Sequence, residues 1–116
     1  MNDEAVHLSV VIPAFEEVAG LGAALGEVRS YLESCPFSSE VLVVVDGGTD
    51  GTLEMVRDLA SAWPSLVVLD NQVNRGKGYS VQRGMLTACG RYRLFSDADL
   101  STPISEADRL MAAIDA

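Results

Sequence analysis

Asp97-Ala98-Asp99 carries two carboxylates one residue apart, directly after a short run of strand-forming residues. An extended segment repeats its side-chain direction every second residue, so both carboxylates are expected to aim the same way. Such a pair can hold a divalent cation while one member orients a hydroxyl. The pair also suits a solvated turn, because Asp is common where strands end and helices start. More acids follow other apolar runs: Glu16 and Glu17 after Leu8–Ile12, and Asp46 and Asp50 after Val41–Val45. Like charges gathered at one rim repel unless cations or hydrogen-bond donors compensate them, and a bound divalent metal is a common compensator. Asp50, just before Thr52, is better read as a helix-capping acid.

The basic counterpart is Asn74-Arg75-Gly76-Lys77-Gly78, which sets two cations and two glycines ahead of a helical pattern. Glycine is permissive of unusual backbone conformations, and a helix N-terminus favours anions, so backbone amides and positive charge could meet an anion here. A flexible turn with exposed cations is the other reading of the same five residues.

These side chains need a scaffold, and the apolar pattern describes one. Leu8-Ser9-Val10-Val11-Ile12 reads as a strand buried on both faces and stopped by Pro13, which lacks an amide hydrogen. Val18, Leu21, Leu25, Val28 and Leu32 recur at steps of three and four, the spacing of one helical face. Val41–Val45 then forms a second strand, and Leu53, Val56, Leu59, Ala60 and Trp63 a second helix before Pro64. Leu66–Leu69 is a third strand, Gly78 through Val81, Met85 and Ala88 to Gly90 a third helix, and Tyr92–Phe95 a fourth strand. Ala107, Leu110, Met111 and Ile114 mark a last helix. Strands alternating with helices of this length imply βαβ crossovers, hence an α/β, doubly wound, mainly parallel sheet. Ligands in such sheets sit beyond the carboxyl ends of the strands, around a reversal of strand order. The acids lie at that end, whereas His7 precedes the first strand and reads as a surface residue of the opposite end.

With 116 residues, 48% of them hydrophobic, residues 1–116 form a single domain. A chain of this length buries roughly two-thirds of its unfolded surface, so folding needs neither disulfide nor structural metal. The net charge of −9 argues against a nucleic acid partner or an anionic membrane surface. Cys35 and Cys89 fit no zinc spacing and read as free thiols of a reducing compartment, the cytoplasm. The acidic start is unlike a secretion signal, and the first apolar run is too short for a signal core or a membrane span.

Four segments in order, Val11-Ile12-Pro13-Ala14-Phe15-Glu16-Glu17, Val45-Asp46-Gly47-Gly48-Thr49-Asp50-Gly51-Thr52, Asn74-Arg75-Gly76-Lys77-Gly78 and Asp97-Ala98-Asp99, resemble glycosyltransferase family 2. The resemblance runs from Leu8 to the end and is nearest to the dolichyl- and polyprenyl-phosphate sugar synthases, the glucosyltransferase type especially. It implies a GT-A fold, a Rossmann-like sheet that binds a UDP- or GDP-sugar, with Mg2+ or Mn2+ as cofactor. It also implies inverting transfer of the sugar to a polyprenyl or dolichyl phosphate. Residue by residue, Pro13, Phe15 and Glu17 would line the base and ribose pocket, and Asp46 would bond the base. Arg75 and Lys77 would lie beside the nucleotide, Asp97 near the ribose or metal, and Asp99 on the metal. Asp97 and Asp99 are thus the expected catalytic pair. Three positions depart from the family pattern: Glu16 stands for the usual Asn, Val45 for the first of two adjacent acids, and Gly48 for a common Ser. The charges suit the implied chemistry, since cleaving a glycosyl phosphate leaves a diphosphate whose growing charge a divalent metal can stabilise. A lipid phosphate arrives ionised and needs no general base.

In the family an acceptor half follows the last helix, so the chain is expected to be a truncated donor half. By itself it would bind nucleotide and catalyse nothing, and surface exposed by the truncation would favour self-association. The full-length parent would sit peripherally at a membrane. A phosphoacceptor receiver-like signalling module is the alternative, with Asp70 as acceptor and Glu16 and Glu17 on Mg2+. A dinucleotide-dependent oxidoreductase would need a glycine fingerprint where Pro13-Ala14-Phe15 stands. A purely structural remnant would bind nothing.

Overall fold

The computed structural model describes residues 5–115. Strands β1 (Leu8–Ala14), β2 (Ser39–Val45), β3 (Leu66–Asp70) and β4 (Tyr92–Phe95) alternate with helices α1 (Leu21–Glu33), α2 (Thr52–Ser61) and α3 (Lys77–Thr87). A 3-10 turn at Ile104–Glu106 leads into α4 (Ala107–Asp115). The strands form one sheet in the order β3-β2-β1-β4, and every pairing is parallel.

β1 is buried along its whole length because it has a strand on each side and helices on each face. Alternate side chains divide the core. Val10, Ile12, Val41 and Val43 meet Leu21, Leu25 and Val28 of α1, Val56 of α2, and Ile104 and Ala107 from the C-terminal segment. Val11 and Leu42 point to the other face, against Ala88 and Met85. The expected α/β, doubly wound parallel sheet is present. No helix among the described residues is long and apolar enough to cross a membrane.

Several local expectations are corrected. Pro13 does not stop the first strand; β1 continues to Ala14, with Pro13 opposite Val44. Val11 O accepts the Ser96 amide from the β4 side and Ala14 O accepts the Asp46 amide from the β2 side. Alternate residues of a parallel ladder turn to alternate neighbours, so the missing Pro13 amide faces β4 beyond the last paired residues, Val11 and Phe95. Val18 lies before α1 and is 40% exposed rather than on its buried face. Trp63 is buried but follows the end of α2. Within α3 the buried residues are Ser80 and Gly84, not Val81 and Met85. The helix rides so close to the sheet that a Cβ at Gly84 would fall 2.3 Å from Val11 Cγ1 and 3.2 Å from Val44 Cγ2.

From β1 the chain winds outward through β2 to β3, then returns to place β4 on the opposite side of β1. That reversal opens a crevice between the carboxyl ends of β1 and β4.

Candidate functional site

A cleft of about 280 Å³ occupies this crevice. The segment leaving β1 contributes Pro13, Phe15 and Glu17, the end of β2 contributes Asp46, the start of α3 contributes Lys77, and the segment after β4 contributes Asp97 and Asp99. The sequence-expected residues therefore converge, Arg75 excepted. Its guanidinium instead lies 5.3 Å from the centre of the Tyr79 ring.

Asp97 and Asp99 border the same cleft for a different reason than alternation in an extended strand. β4 ends at Phe95, and the Leu100 amide donates to Asp97 O at 3.0 Å, so the pair sits on a turn. Buried Ala98 anchors that turn in the core. The Ser101 amide donates to Asp99 Oδ1 at 3.1 Å. Lys77 Nζ donates to Asp97 Oδ1 at 2.6 Å, and this bond is the main reason the Asp97 carboxyl is held below the usual carboxylate range, against some desolvation.

Asp46 is buried and heavily engaged. Its Oδ1 accepts the Arg75 amide at 2.7 Å and Asn71 Nδ2 at 2.9 Å, and its Oδ2 accepts the Gly76 amide at 3.0 Å. Burial pushes its carboxyl up, but the Arg75, Asn71, Gly76 and Ser80 bonds outweigh that and leave it below the usual range. The expected meeting of loop amides with an outside anion is thus corrected for Arg75 and Gly76, whose amides turn inward to this carboxylate. Asn71 Nδ2 also donates to Ser80 Oγ at 2.8 Å, and Arg83 donates to Asn71 Oδ1 at 2.8 Å. Gly47 makes the approach possible: its φ is +76°, and a Cβ there would lie 2.7 Å from the Asn74 amide nitrogen.

Sequence reasoning missed Asn71 and Ser80. A polar residue directly after β3 was the only signal for Asn71, and Ser80 was hidden by the apolar residues expected on that face. Asp50 does serve α2: its Oδ1 accepts the Thr52 amide and hydroxyl at 3.0 and 2.6 Å, and its Oδ2 accepts the Val18 amide at 3.2 Å. The receiver-like arrangement is absent. Receivers place the third strand beside the first, whereas β3 lies at the sheet edge beyond β2. Asp70 accepts the Gln72 amide at 2.7 Å in a separate depression whose walls include neither Glu16 nor Glu17.

Among the described residues no three His, Cys, Asp or Glu side chains gather as a ready metal cage. Of the four carboxylates lining the cleft, Asp97 and Asp99 are nevertheless the neighbouring hard-oxygen donors that Mg2+ or Mn2+ takes when water and phosphate oxygens complete its shell. The residues fit such an ion in its nucleotide-bound form.

The parallel sheet with a cleft at its switch point is shared with solved GT-A glycosyltransferases. The mannosyltransferase PcManGT from Pyrobaculum calidifontis, solved in complex with GDP-Man and Mn2+, superposes with a TM-score of 0.70 at 25% identity, over 84% of this chain and 30% of that one. Residues 9–116 match the description Glycosyl transferase family 2. The chain belongs to glycosyltransferase family 2. It is 38% identical over 106 residues to the dolichyl-phosphate beta-glucosyltransferase ALG5A of Trichomonas vaginalis, covering 87% of this chain and 33% of that protein. It is 37% identical over 120 residues to the dolichyl-phosphate beta-glucosyltransferase of Drosophila melanogaster, covering 97% of this chain and 37% of the relative. The chain thus spans about a third of the length of the curated relatives it matches.

Proposed function

We propose that residues 1–116 are the donor-binding half of a glycosyltransferase that moves a hexose from a UDP- or GDP-sugar to a polyprenyl or dolichyl phosphate. The observation that carries this reading is the convergence of Lys77, Asp97 and Asp99 on one cleft that Pro13, Phe15 and Glu17 also line. Phe15 is 45% exposed at the cleft and offers an aromatic face for a base. Glu17 offers a carboxylate to ribose hydroxyls, and Lys77 a point charge to a phosphate. Asp46 acts mainly through the loop it holds, keeping Lys77 at the head of α3. When bound, Mg2+ or Mn2+ would be held by Asp99 and Asp97 and would stabilise charge on the departing diphosphate.

The acceptor assignment follows the names of the relatives, and an ionised lipid phosphate needs no general base from this chain. Inversion at the sugar carbon, in one displacement, belongs to the same proposal, as does a cytoplasmic location at a membrane face, which suits the free thiols Cys35 and Cys89. Self-association is proposed through the β4 side of the molecule, where Phe95, Leu110 and Ile114 are 37%, 43% and 70% exposed. Sedimentation showing only monomer would remove that part.

Heating the chain with UDP-glucose or GDP-mannose, with and without Mn2+, tests the donor reading. Ligand at a hundredfold excess over its Kd adds about 2.7 kcal/mol of stability, a shift of several degrees. Metal-dependent stabilisation by one nucleotide sugar, abolished in Asp99→Ala, is the expected result. No stabilisation by either sugar would leave the chain as a structural remnant.

A further inference from the structure

A protein amine stands on one of the two Asp97 oxygens that could hold a metal. Lys77 Nζ is 2.6 Å from Asp97 Oδ1 and 5.1 Å from the centre of the Phe95 ring. The other oxygen, Oδ2, receives only a long 3.4 Å bond from Ser101 Oγ. A metal on Oδ1 would therefore confront an ammonium across a single oxygen, and like charges so close repel. Lys77 can leave. It is the first residue of α3, its side chain is 61% exposed, and lysine has a flexible four-carbon stem. A nucleoside diphosphate brings more negative charge to the cleft than one carboxylate and would draw the amine toward itself.

Resting on the donor reading above, we propose that Lys77 is a positioning residue that couples metal binding to nucleotide binding. It pairs with Asp97 and moves to the diphosphate when nucleotide enters, which would free Asp97 Oδ1 to hold the metal. Metal alone then binds weakly, because taking Oδ1 would mean displacing the amine. By reciprocity, nucleotide strengthens metal binding and metal strengthens nucleotide binding by the same factor. Removing the amine acts in opposite directions on the two ligands, which a merely structural lysine would not do.

The test titrates the 116-residue chain with Mn2+, following the free-ion electron paramagnetic resonance signal, without nucleotide and with UDP or GDP. Lys77→Met is expected to bind Mn2+ alone roughly two- to fivefold more tightly, the range of an exposed ion pair. The same variant is expected to bind nucleotide in the presence of Mn2+ more weakly than the parent. Lys77→Arg, which keeps a cation, should retain weak metal-alone binding. Arg57→Gln removes a cation that pairs with Asp70 outside the cleft and should leave metal-alone affinity unchanged. Unaltered or weaker Mn2+ binding by Lys77→Met would overturn the proposal, as would equal tightening by Arg57→Gln. If the parent still shows nucleotide-enhanced Mn2+ binding that needs Asp99, only the role of Lys77 falls. If neither nucleotide enhances Mn2+ binding and Asp99→Asn changes nothing, the donor reading falls with it.

Discussion

Asp46 shows how one buried carboxylate organises a site. It gathers amides from Arg75 and Gly76 and the side chain of Asn71, so the basic loop is tied to the end of β2. Asparagine would be nearly isosteric, but its NH2 would oppose donors, leaving at least one of these buried or partly buried groups unpaired. Asp46→Asn is expected to cost about 2–3 kcal/mol in urea unfolding at pH 7. The sign of the pH dependence follows from the depressed carboxyl. Its stabilisation is complete above the unfolded value of about 3.9 and is lost as pH falls through the lower folded value. Stability of the parent should therefore drop more steeply below pH 4 than that of Asp46→Asn. Parallel profiles for the two proteins would show that this carboxylate does not report on acid unfolding.

Helix α3 positions Lys77 because it lies unusually close to the sheet. Its contact face is Ser80 and Gly84, and the side chains it meets are the stiff, branched Val11 and Val44. Gly84→Ala would gain about 1 kcal/mol in helix propensity but overpack by about 1–3 kcal/mol. Net destabilisation is expected, with nucleotide affinity falling as α3 is pushed off the sheet. A melting temperature equal to or above the parent's would contradict this packing. At the other end of the element, Lys77 was legible in sequence as one of two cations before a helix. Its bond to Asp97, twenty residues later, was not, because that distance depends on β4 lying beside β1.

Across the molecule, protection is uneven. β1 and most of β2 are buried, whereas α4 buries only Ala107. That helix is tethered by Tyr31, which donates to Asp108 at 2.6 Å, and by Tyr92, which donates to Asp115. Amide hydrogen exchange should therefore be slowest in β1 and β2 and fastest in α4, and Tyr31→Phe should accelerate α4 further without changing β1. Uniform protection along the chain would refute this gradient.

Branched apolar runs and helical periodicity specified four strands, the parallel α/β class and the end of the sheet where chemistry belongs, because those signals depend only on neighbouring residues. Asp97, Asp99, Lys77 and the cleft residues after β1 were legible as motifs for the same reason. Tertiary structure alone decided which of them meet. It placed Pro13 inside β1 where no partner needs its amide, folded Asp97-Ala98-Asp99 into a turn, sent Arg75 to Tyr79 and turned the loop amides onto Asp46. The Lys77–Asp97 bond and the turning of the loop amides onto Asp46 are set by the strand order β3-β2-β1-β4, which brings groups twenty to thirty residues apart within bonding distance and is written in no local stretch of the chain.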